Sequence, residues 1–367
     1  MEDIKKILIV SAALHIGGAE KVARDIGYFA DTKPFLMHYL VFGSEVKAYE
    51  PELEERGYKI IHIDAPQAGY YRFIKTLRRL IKNNNYSVVH AHTMFNIGLV
   101  MYAAWKEKTP IRIAHAHSAL NDGSGLVKMA YEFVMRRMIL RYSTDLIACG
   151  EAAGNRLFGK KAFSKKGKLI LNGIQTDEFG FNCFARNRIR EELRIQNAFV
   201  IGHVGRFETV KNQRFLIKIL PEVIKHKSNA MLLLLGDGGT RAEIEQLVVD
   251  MKLTDHVIMT GNVRNVSDYL SAMDVFAFPS LYEGMPLSIV EVQANGLPCI
   301  LSTGVPKDVY LTDLIIPVSL DEPDKWIETI CSVERHEPEK YVDLLKKAGF
   351  DLMDVLKEFY DIYERAE

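Results

Sequence analysis

Short apolar segments alternate with amphipathic stretches along the whole chain. In the first half the apolar segments lie at 7–10, 38–42, 59–63, 87–90, 111–114, 145–148 and 168–171. The pattern restarts at 199–204 and continues through 231–235, 256–259, 275–278 and 298–301. Near-continuous apolar strands separated by helical segments are typical of parallel sheets that helices cover on both faces. The sequence therefore predicts two doubly wound α/β domains, whose ligands bind beyond the carboxyl ends of the strands.

A turn-rich stretch at 172–177 separates the two series of strands and predicts the domain boundary. At 367 residues the chain is too long for one ordinary hydrophobic core, which also favours two domains. The last segment, 351–363, has the apolar periodicity of an amphipathic helix.

The composition is that of a water-soluble globular protein, with 48% hydrophobic and 26% charged residues. No apolar run reaches the roughly 18 residues that a membrane-spanning helix needs. The chain enters its first strand without the apolar core of a signal peptide. Cys149, Cys183, Cys299 and Cys331 lie far apart and form no Cys-x-x-Cys motif. This spacing argues against zinc and against a disulfide framework, and it fits a reducing cytoplasm.

The net charge is zero, but the charges are distributed unevenly. Residues 65–168 contain 18 Lys or Arg against 5 Asp or Glu, a local balance of +13. The segment 70–82 combines an apolar stripe of Phe73, Leu77, Leu80 and Ile81 with the basic residues Arg72, Lys75, Arg78, Arg79 and Lys82. An ordinary surface helix explains the stripe well. The excess of positive charge, however, favours contact with an anionic surface such as lipid headgroups.

The run 278–291 places Glu283 and Glu291 eight residues apart, directly after an apolar strand. Gly284 permits unusual backbone angles, and Pro286 suits the first turn of a following helix. The free N–H groups of a helix start bind anions, while carboxylates bind hydroxyls, so the pair suits a nucleotide-sugar. Taken alone, a buried helix with two exposed carboxylates is an equally good interpretation.

A second motif follows the strand 199–204, where Arg206 stands at the strand tip and Lys211 at the next helix start. Arginine offers a fork of donors and lysine a point charge, so both can bind one diphosphate. Two solvated surface charges are the competing interpretation. The chain contains no Asp-x-Asp motif, the usual carboxylate pair for a diphosphate-bound cation, which favours catalysis without a metal.

Together these motifs resemble the retaining glycosyltransferases of the GT-B fold, specifically glycosyltransferase family 4. The resemblance covers nearly the whole chain and is closest to the capsular and exopolysaccharide branch. It implies two Rossmann-like domains facing across a cleft. Residues 1–177 would bind the acceptor, residues 178–349 would bind the nucleotide-sugar donor, and 350–367 would form a helix that packs back on the N-terminal domain.

The resemblance also assigns a donor-binding set in the second domain. Arg206 and Lys211 would stabilise the departing diphosphate, Glu283 would bind the sugar hydroxyls and Glu291 the ribose. The turn at 236–241 resembles the family's Gly-Asp-Gly-x-x-Arg turn and is not a dinucleotide fingerprint, because Arg241 replaces the third glycine. The remaining donor-binding candidates are Gly236, Asp237, Val263, Gly284, Met285 and Leu287.

In the first domain the family's Gly-Gly loop matches Gly17 and Gly18, whose backbone amides would approach the donor phosphates. His117 matches a histidine that contacts the transferred sugar and suits that position better than His115. A structural role is the more common one for a lone histidine. His90 and His92 form another His-x-His pair, which lines the acceptor side or simply packs. The two pairs, without a carboxylate or cysteine set, do not predict a metal site.

The expected function is metal-independent, retaining transfer of a hexose-type sugar from a UDP-sugar to a saccharide acceptor. The branch resemblance implies an acceptor on a lipid carrier, in capsular or exopolysaccharide biosynthesis of a bacterium. The expected location is the cytoplasm, peripherally on the anionic inner face of the plasma membrane. Neither a cofactor nor a nucleic-acid partner is expected. Two alternatives are a nucleotide-sugar epimerase of similar fold, which needs further acid and base carboxylates, and an inactive nucleotide-sugar-binding homologue.

Overall fold

The computed structural model describes residues 4–15, 17–30, 35–118, 125–335 and 338–366. The chain forms two compact units, one of Met1–Gly173 with Leu352–Glu367 and one of Ile174–Asp351. The domain boundaries predicted from the sequence lie at 177/178 and 349/350, a few residues away from those of the structure. Gly173 lies at one crossing point, where an added Cβ would come within 2.7 Å of the Leu352 Cα atom. Only glycine fits this close approach of the two connecting segments.

The first domain alternates strands and helices. Its strands are β1 (Lys5–Val10), β2 (Phe35–Phe42), β3 (Lys59–Ile63), β4 (Val88–Ala91), β5 (Ile111–Ala116), β6 (Asp145–Ala148) and β7 (Gly167–Leu169). Its helices are α1 (Gly18–Tyr28), α2 (Glu50–Glu55), α3 (Tyr70–Asn84), α4 (Ile97–Lys106), α5 (Leu126–Tyr142), α6 (Glu151–Phe158) and α7 (Lys160–Lys166).

The second domain repeats this alternation. Its strands are β8 (Phe199–Val204), β9 (Ala230–Leu235), β10 (Val257–Gly261), β11 (Val275–Phe278), β12 (Cys299–Ser302) and β13 (Ile315–Val318). Its helices are α8 (Cys183–Glu192), α9 (Gln213–His226), α10 (Arg241–Asp250), α11 (Val266–Ala272), α12 (Leu287–Ala294), α13 (Pro323–Ser332) and α14 (Lys340–Lys347). A last helix, α15 (Leu352–Glu364), belongs to the first domain.

Both sheets are parallel, with strand orders β3-β2-β1-β4-β5-β6-β7 and β10-β9-β8-β11-β12-β13. Residues of both sheets pack into apolar clusters on each face, which explains why the strands are apolar throughout. The predicted pair of doubly wound domains is confirmed. In each sheet the order reverses next to the first strand, between β1 and β4 and between β8 and β11. Loops diverge at such a reversal and leave room for a ligand.

Strand β13 is absent from the predicted set. It carries Pro317 and lies at the edge of its sheet. Proline lacks a backbone N–H donor and is tolerated mainly on edge strands. The short run Ile315–Val318 therefore gives a weak sequence signal for a strand that the structure nevertheless contains.

Helix α15 packs on the first domain, as predicted. Phe359 and Tyr363 are fully buried in its core, and the Tyr360 hydroxyl donates a hydrogen bond to the Ile26 carbonyl at 2.8 Å. At the helix surface, Lys168 pairs with Glu358 at 2.9 Å. The last helix is therefore an integral part of the first domain's core.

Among the described residues, no helix combines the length and the apolar character that crossing a bilayer requires. Helix α3 buries Phe73, Leu77 and Ile81, as its apolar stripe predicts.

Candidate active site

The reversal of strand order in the second sheet brings two predicted motifs together. Lys211 follows β8, Glu283 follows β11, and the Lys211 Nζ and Glu283 Oε1 atoms lie 2.7 Å apart. The loops that carry them are joined by backbone, because the Leu281 N–H donates to the Val210 carbonyl at 2.8 Å. The Asn212 side chain donates to the Pro279 carbonyl at 3.2 Å. The ion pair is therefore held by two fixed loops.

This Lys211–Glu283 pair is largely shielded from solvent. The side chains of Lys211 and Glu283 are 18% and 12% exposed. Removal of either one would therefore leave the other as a poorly solvated, unpaired charge. The Lys211 Nζ also lies 4.8 Å from the centroid of the Phe278 ring, within the range of a cation–π contact. A partly buried ammonium beside a carboxylate suits a ligand that carries both negative charge and hydroxyls.

Arg206 has a fixed backbone and an exposed side chain. Its carbonyl accepts a hydrogen bond from the Gln213 side chain at 2.9 Å. Its guanidinium is 62% exposed and lies 3.0 Å from a carboxylate oxygen of Glu208. The Arg206 guanidinium therefore pairs with Glu208. Its joint action with Lys211 on a diphosphate stays a prediction.

The glycine-rich turn after β9 has a clear packing role. Gly236 and Gly238 have φ values of +126° and +158°, which favour glycine. An added Cβ would lie 2.2 Å from the Gly205 carbonyl oxygen at the first position and 2.5 Å from the Phe207 carbonyl oxygen at the second. The Asp237 carboxylate accepts a hydrogen bond from the Gly238 N–H at 2.8 Å. The turn therefore supports the β8 loop that carries Arg206 and Lys211.

The other donor candidates of this domain lie around α12 and after β10. Gly284 is exposed and Met285 half-buried, just before the helix that starts at Leu287 with Pro286 preceding it. Glu291 lies in that helix and is half-buried. Val263, also half-buried, packs against an apolar cluster after β10. Their contacts with a donor stay predictions.

Gly17 and Gly18 lie where the chain enters α1. An added Cβ at Gly17 would meet the Glu20 carboxylate at 2.4 Å, whereas at Gly18 it would meet nothing within 4 Å. The backbone of Gly18 is therefore open on one side, as approach to a phosphate requires. Glu20, in the first turn of α1, places a negative charge nearby.

The neighbouring strands β4 and β5 bring both His-x-His pairs into one histidine cluster, formed by His90, His92, His115 and His117. The His90 Nε2 and His115 Nδ1 atoms lie 3.1 Å apart, and the His92 Nδ1 and His117 Nε2 atoms 2.7 Å apart. The Tyr363 hydroxyl of α15 lies 2.7 Å from His90 Nδ1. His117 is half-buried and is the more exposed member of its pair, whereas His115 is fully buried.

Burial keeps this cluster uncharged at neutral pH. It lowers the pKa of His117 to about 3, and it lowers the pKa values of His90, His92 and His115 well below their ordinary range. One ring nitrogen each of His92, His115 and His117 has no hydrogen-bond partner among the described residues. The Nδ1 atom of His117 is also shielded from solvent, so the contact of His117 with a sugar stays a prediction.

Ring nitrogens of His90, His92 and His115 lie within 4.8 Å of one another, close enough to hold a metal ion. The His90 and His115 rings are already hydrogen-bonded to each other, and His90 is also hydrogen-bonded to the Tyr363 hydroxyl. Metal-independent function stays a prediction.

The neutral histidine cluster predicts loss of stability in acid. Unfolded histidines take up protons below a pH of about 6.5, whereas the buried rings do not. The contribution of the buried histidines to the free energy of unfolding is therefore fully present above that pH. It falls as the pH is lowered towards 3, by up to about 1.4 kcal/mol per pH unit for each histidine. Urea unfolding between pH 8 and 4 should show a shallower decline for His117→Gln than for the wild type. His226→Gln, at an exposed position of α9, is the control; a decline in His117→Gln parallel to the wild type would contradict the prediction.

His203, near the end of β8, was not singled out from the sequence. It is fully buried, and its Nδ1 atom lies 2.9 Å from the Ala277 carbonyl oxygen. Burial lowers the pKa of His203 to about 4, despite the opposing hydrogen bond, and Lys211 adds to the lowering. Gly205 passes between them, since an added Cβ there would lie 3.2 Å from His203 Nε2 and 3.4 Å from Lys211 Cδ. The sequence does hold a signal for His203, because it is a polar residue in an otherwise apolar strand, just before Gly205 and Arg206.

Comparisons with known proteins cover both domains. Residues 16–178 match the family model described as Glycosyltransferase Family 4, and residues 198–335 match the one described as Glycosyl transferases group 1. The chain is 32% identical to EpsF of Bacillus subtilis (strain 168), a protein classed with the glycosyltransferases, over 98% of this chain and 96% of EpsF. It is 25% identical to CapH of Staphylococcus aureus, a capsular polysaccharide biosynthesis glycosyltransferase, over 98% of both.

The chain is also similar to an enzyme named for its donor and acceptor and to a solved structure. The chain is 24% identical to the UDP-Gal:alpha-D-GlcNAc-diphosphoundecaprenol alpha-1,3-galactosyltransferase of Escherichia coli, over 78% of each protein. The crystal structure of Anabaena HepE in complex with UDP has the same fold, with a TM-score of 0.80 at 18% identity over 98% of this chain and 99% of HepE. The resemblance stated from the sequence is confirmed. The chain belongs to glycosyltransferase family 4, has the GT-B fold and is a glycosyltransferase.

Proposed function

We propose that this glycosyltransferase moves a hexose-type sugar from a UDP-sugar to a lipid-linked saccharide, with retention of configuration and without a metal ion. The observation that carries the proposal is the Lys211–Glu283 pair at the reversal of strand order, with Nζ and Oε1 2.7 Å apart. A shielded ammonium stabilises the developing charge of a departing diphosphate, the task that a bound cation performs in other transferases. The adjacent carboxylate binds the hydroxyls of the transferred sugar.

The remaining roles follow from the kinds of group that the fold presents. Arg206 adds a second positive charge for the diphosphate. Glu291 binds the donor ribose, and the open amides at Gly17 and Gly18 approach the phosphates. His117, neutral because burial lowers its pKa to about 3, accepts or donates a hydrogen bond to the transferred sugar without adding charge. Attack then proceeds from the face of the leaving diphosphate, which assists deprotonation of the acceptor.

The choice of substrates is supported by the relatives. The Escherichia coli enzyme is named for a UDP-sugar donor and a diphosphoundecaprenol-linked acceptor, and CapH for capsular polysaccharide biosynthesis. HepE has been crystallised with UDP-glucose. An acceptor on a lipid carrier places this chain at the inner face of the plasma membrane, where the +13 excess of residues 65–168 meets anionic lipids.

Protection against thermal unfolding tests the donor. A ligand at 100 times its Kd stabilises the native state by about 2.7 kcal/mol, so UDP-glucose, UDP-galactose or UDP-N-acetylglucosamine should raise the Tm by several degrees. GDP-mannose should not, and EDTA should leave the protection unchanged. Protection by GDP-mannose alone would contradict the UDP assignment. Protection or transfer that EDTA abolishes and Mg²⁺ restores would contradict the metal-free mechanism.

A further inference from the structure

The solvent-facing side of α5 is unusually apolar for the surface of a globular protein. Leu126, Val127, Met129 and Phe133 are 85%, 86%, 64% and 55% exposed, and Val134 and Leu140 are also exposed. At 100° per residue these side chains fall on one side of the helix, which Arg137 and Arg141 share towards its C-terminal end. We call Leu126, Val127, Met129, Phe133, Val134 and Leu140 the α5 apolar face.

The opposite side of α5 is already packed. Met135 and Ile139 are buried in the core of the first domain. Helices α4 and α5 approach so closely that an added Cβ at Gly98 would lie 2.9 Å from the Met135 carbonyl oxygen. Rotating α5 to bury its apolar face would expose Met135 and Ile139. The described residues of this chain therefore leave the apolar face open to solvent.

The surroundings of this face are basic and aromatic. Arg137 and Arg141 are exposed on the same side of α5. Trp105, 41% exposed at the end of α4, lies 4.8 Å from the ring of Tyr142, and the Lys106 Nζ lies 4.9 Å from the Trp105 ring. Apolar side chains bordered by Arg, Lys and Trp are typical of helices that lie in a membrane interface. Protein–protein interfaces share the enrichment in Phe, Met and Arg but are depleted in Lys.

Helix α3 lies on the same side of the sheet as α4 and α5, since all three bury residues in one cluster. Its Arg72 and Arg78 pair with Asp64 at 3.2 Å and Glu107 at 2.6 Å. Exposed Lys75, Arg79 and Lys82 have no acidic partner among the described residues. They add positive charge to the layer of helices that contains α5.

We propose that the α5 apolar face inserts into the headgroup–acyl boundary of an anionic bilayer, while the basic residues around it bind the headgroups. The inference rests on the proposed function, because a lipid-linked acceptor is what brings this enzyme to a bilayer. It goes beyond charge attraction. Charge alone is screened by salt and released, whereas apolar insertion leaves a component of binding that salt does not remove.

Co-sedimentation tests this with vesicles of phosphatidylglycerol and phosphatidylcholine and with vesicles of phosphatidylcholine alone, each at low and high salt. The test variant is Val127→Gln with Phe133→Gln, both at exposed positions. The matched control is Phe184→Gln with Val249→Gln, which are 83% and 59% exposed in the second domain. At high salt the wild type and the control should keep part of their binding to the mixed vesicles. At high salt the α5 variant should bind the mixed vesicles at least roughly tenfold more weakly than the wild type does.

A third variant separates the charge contribution. Lys75→Gln with Arg79→Gln and Lys82→Gln should weaken binding at low salt and leave the salt-resistant component in place. Salt-resistant binding of the α5 variant equal to that of the wild type would overturn the proposal. A wild type that ignores vesicles but forms dimers that the α5 variant loses would also overturn it and assign the face to a second copy.

The UDP-sugar protection experiment, run on the same α5 variant, distinguishes the two proposals. Unchanged protection with lost vesicle binding is the expected result. Absent protection in every protein, wild type included, would overturn the proposed function while leaving the vesicle result to be judged by itself.

Discussion

Replacement of Lys211 by alanine is expected to lower transfer about 10²–10³-fold, the usual effect of removing one charge-stabilising donor from a transition state. In the structure this ammonium is 18% exposed and lies 2.7 Å from the Glu283 carboxylate, so the substitution removes a positive charge from a site that solvent reaches poorly. Donor binding should also weaken, because a charged hydrogen bond contributes roughly 1.5–3 kcal/mol. Initial-rate kinetics with the donor identified by thermal protection measure both effects.

The double variant Lys211→Met with Glu283→Gln controls for the stranded carboxylate that the single change leaves behind. It should unfold at nearly the wild-type temperature and still be inactive. Lys225→Ala breaks an exposed pair with Glu222 on α9 and should keep full activity. Near wild-type turnover in Lys211→Ala would remove the diphosphate role from this residue.

Replacement of Glu283 and of Glu291 by glutamine is expected to change different kinetic constants. Glu283→Gln should lower kcat by roughly 100-fold, because contacts to the transferred sugar strengthen as it gains positive charge in the transition state. Glu291→Gln should raise the donor KM by about tenfold with little change in kcat, since ribose contacts serve ground and transition states alike. Both substitutions keep the side-chain shape, so circular dichroism should remain unchanged.

The same kinetics decide whether the roles are assigned correctly. A KM effect for Glu283→Gln together with a kcat effect for Glu291→Gln would mean that the two carboxylates exchange roles. His117→Gln should follow Glu283→Gln in lowering kcat, because both side chains are assigned to the transferred sugar.

The sequence was sufficient to predict the two sheets and the last helix, because long apolar strands and a strong amphipathic period dominate their folding. It also placed Lys211 and Glu283 in loops after β8 and β11. It did not pair them, since their meeting depends on the strand order β9-β8-β11, which periodicity does not encode. Strand β13 was missed because Pro317 weakens its signal.

The histidine cluster shows the same limit more clearly. Two His-x-His pairs were visible in the sequence, but their joining required β4 and β5 to be neighbours in the sheet. The contact of Tyr363 with His90 joins residues that are 273 positions apart in the chain. The exposed side of α5 was not recognised either, because an apolar helix in the sequence gives no sign of which of its faces remains uncovered.

Proton NMR of one reaction mixture shows whether this protein transfers a sugar with retention of configuration. Purified protein is mixed with the UDP-sugar that protects it and with a diphosphate-lipid-linked saccharide acceptor, and the anomeric proton of the transferred sugar is followed. We expect UDP and a new glycoside to appear together, only with acceptor present, and the glycoside to keep the α-configuration of the donor. A β-linked product would contradict retention, and conversion of the UDP-sugar into an isomer without acceptor would contradict transfer itself.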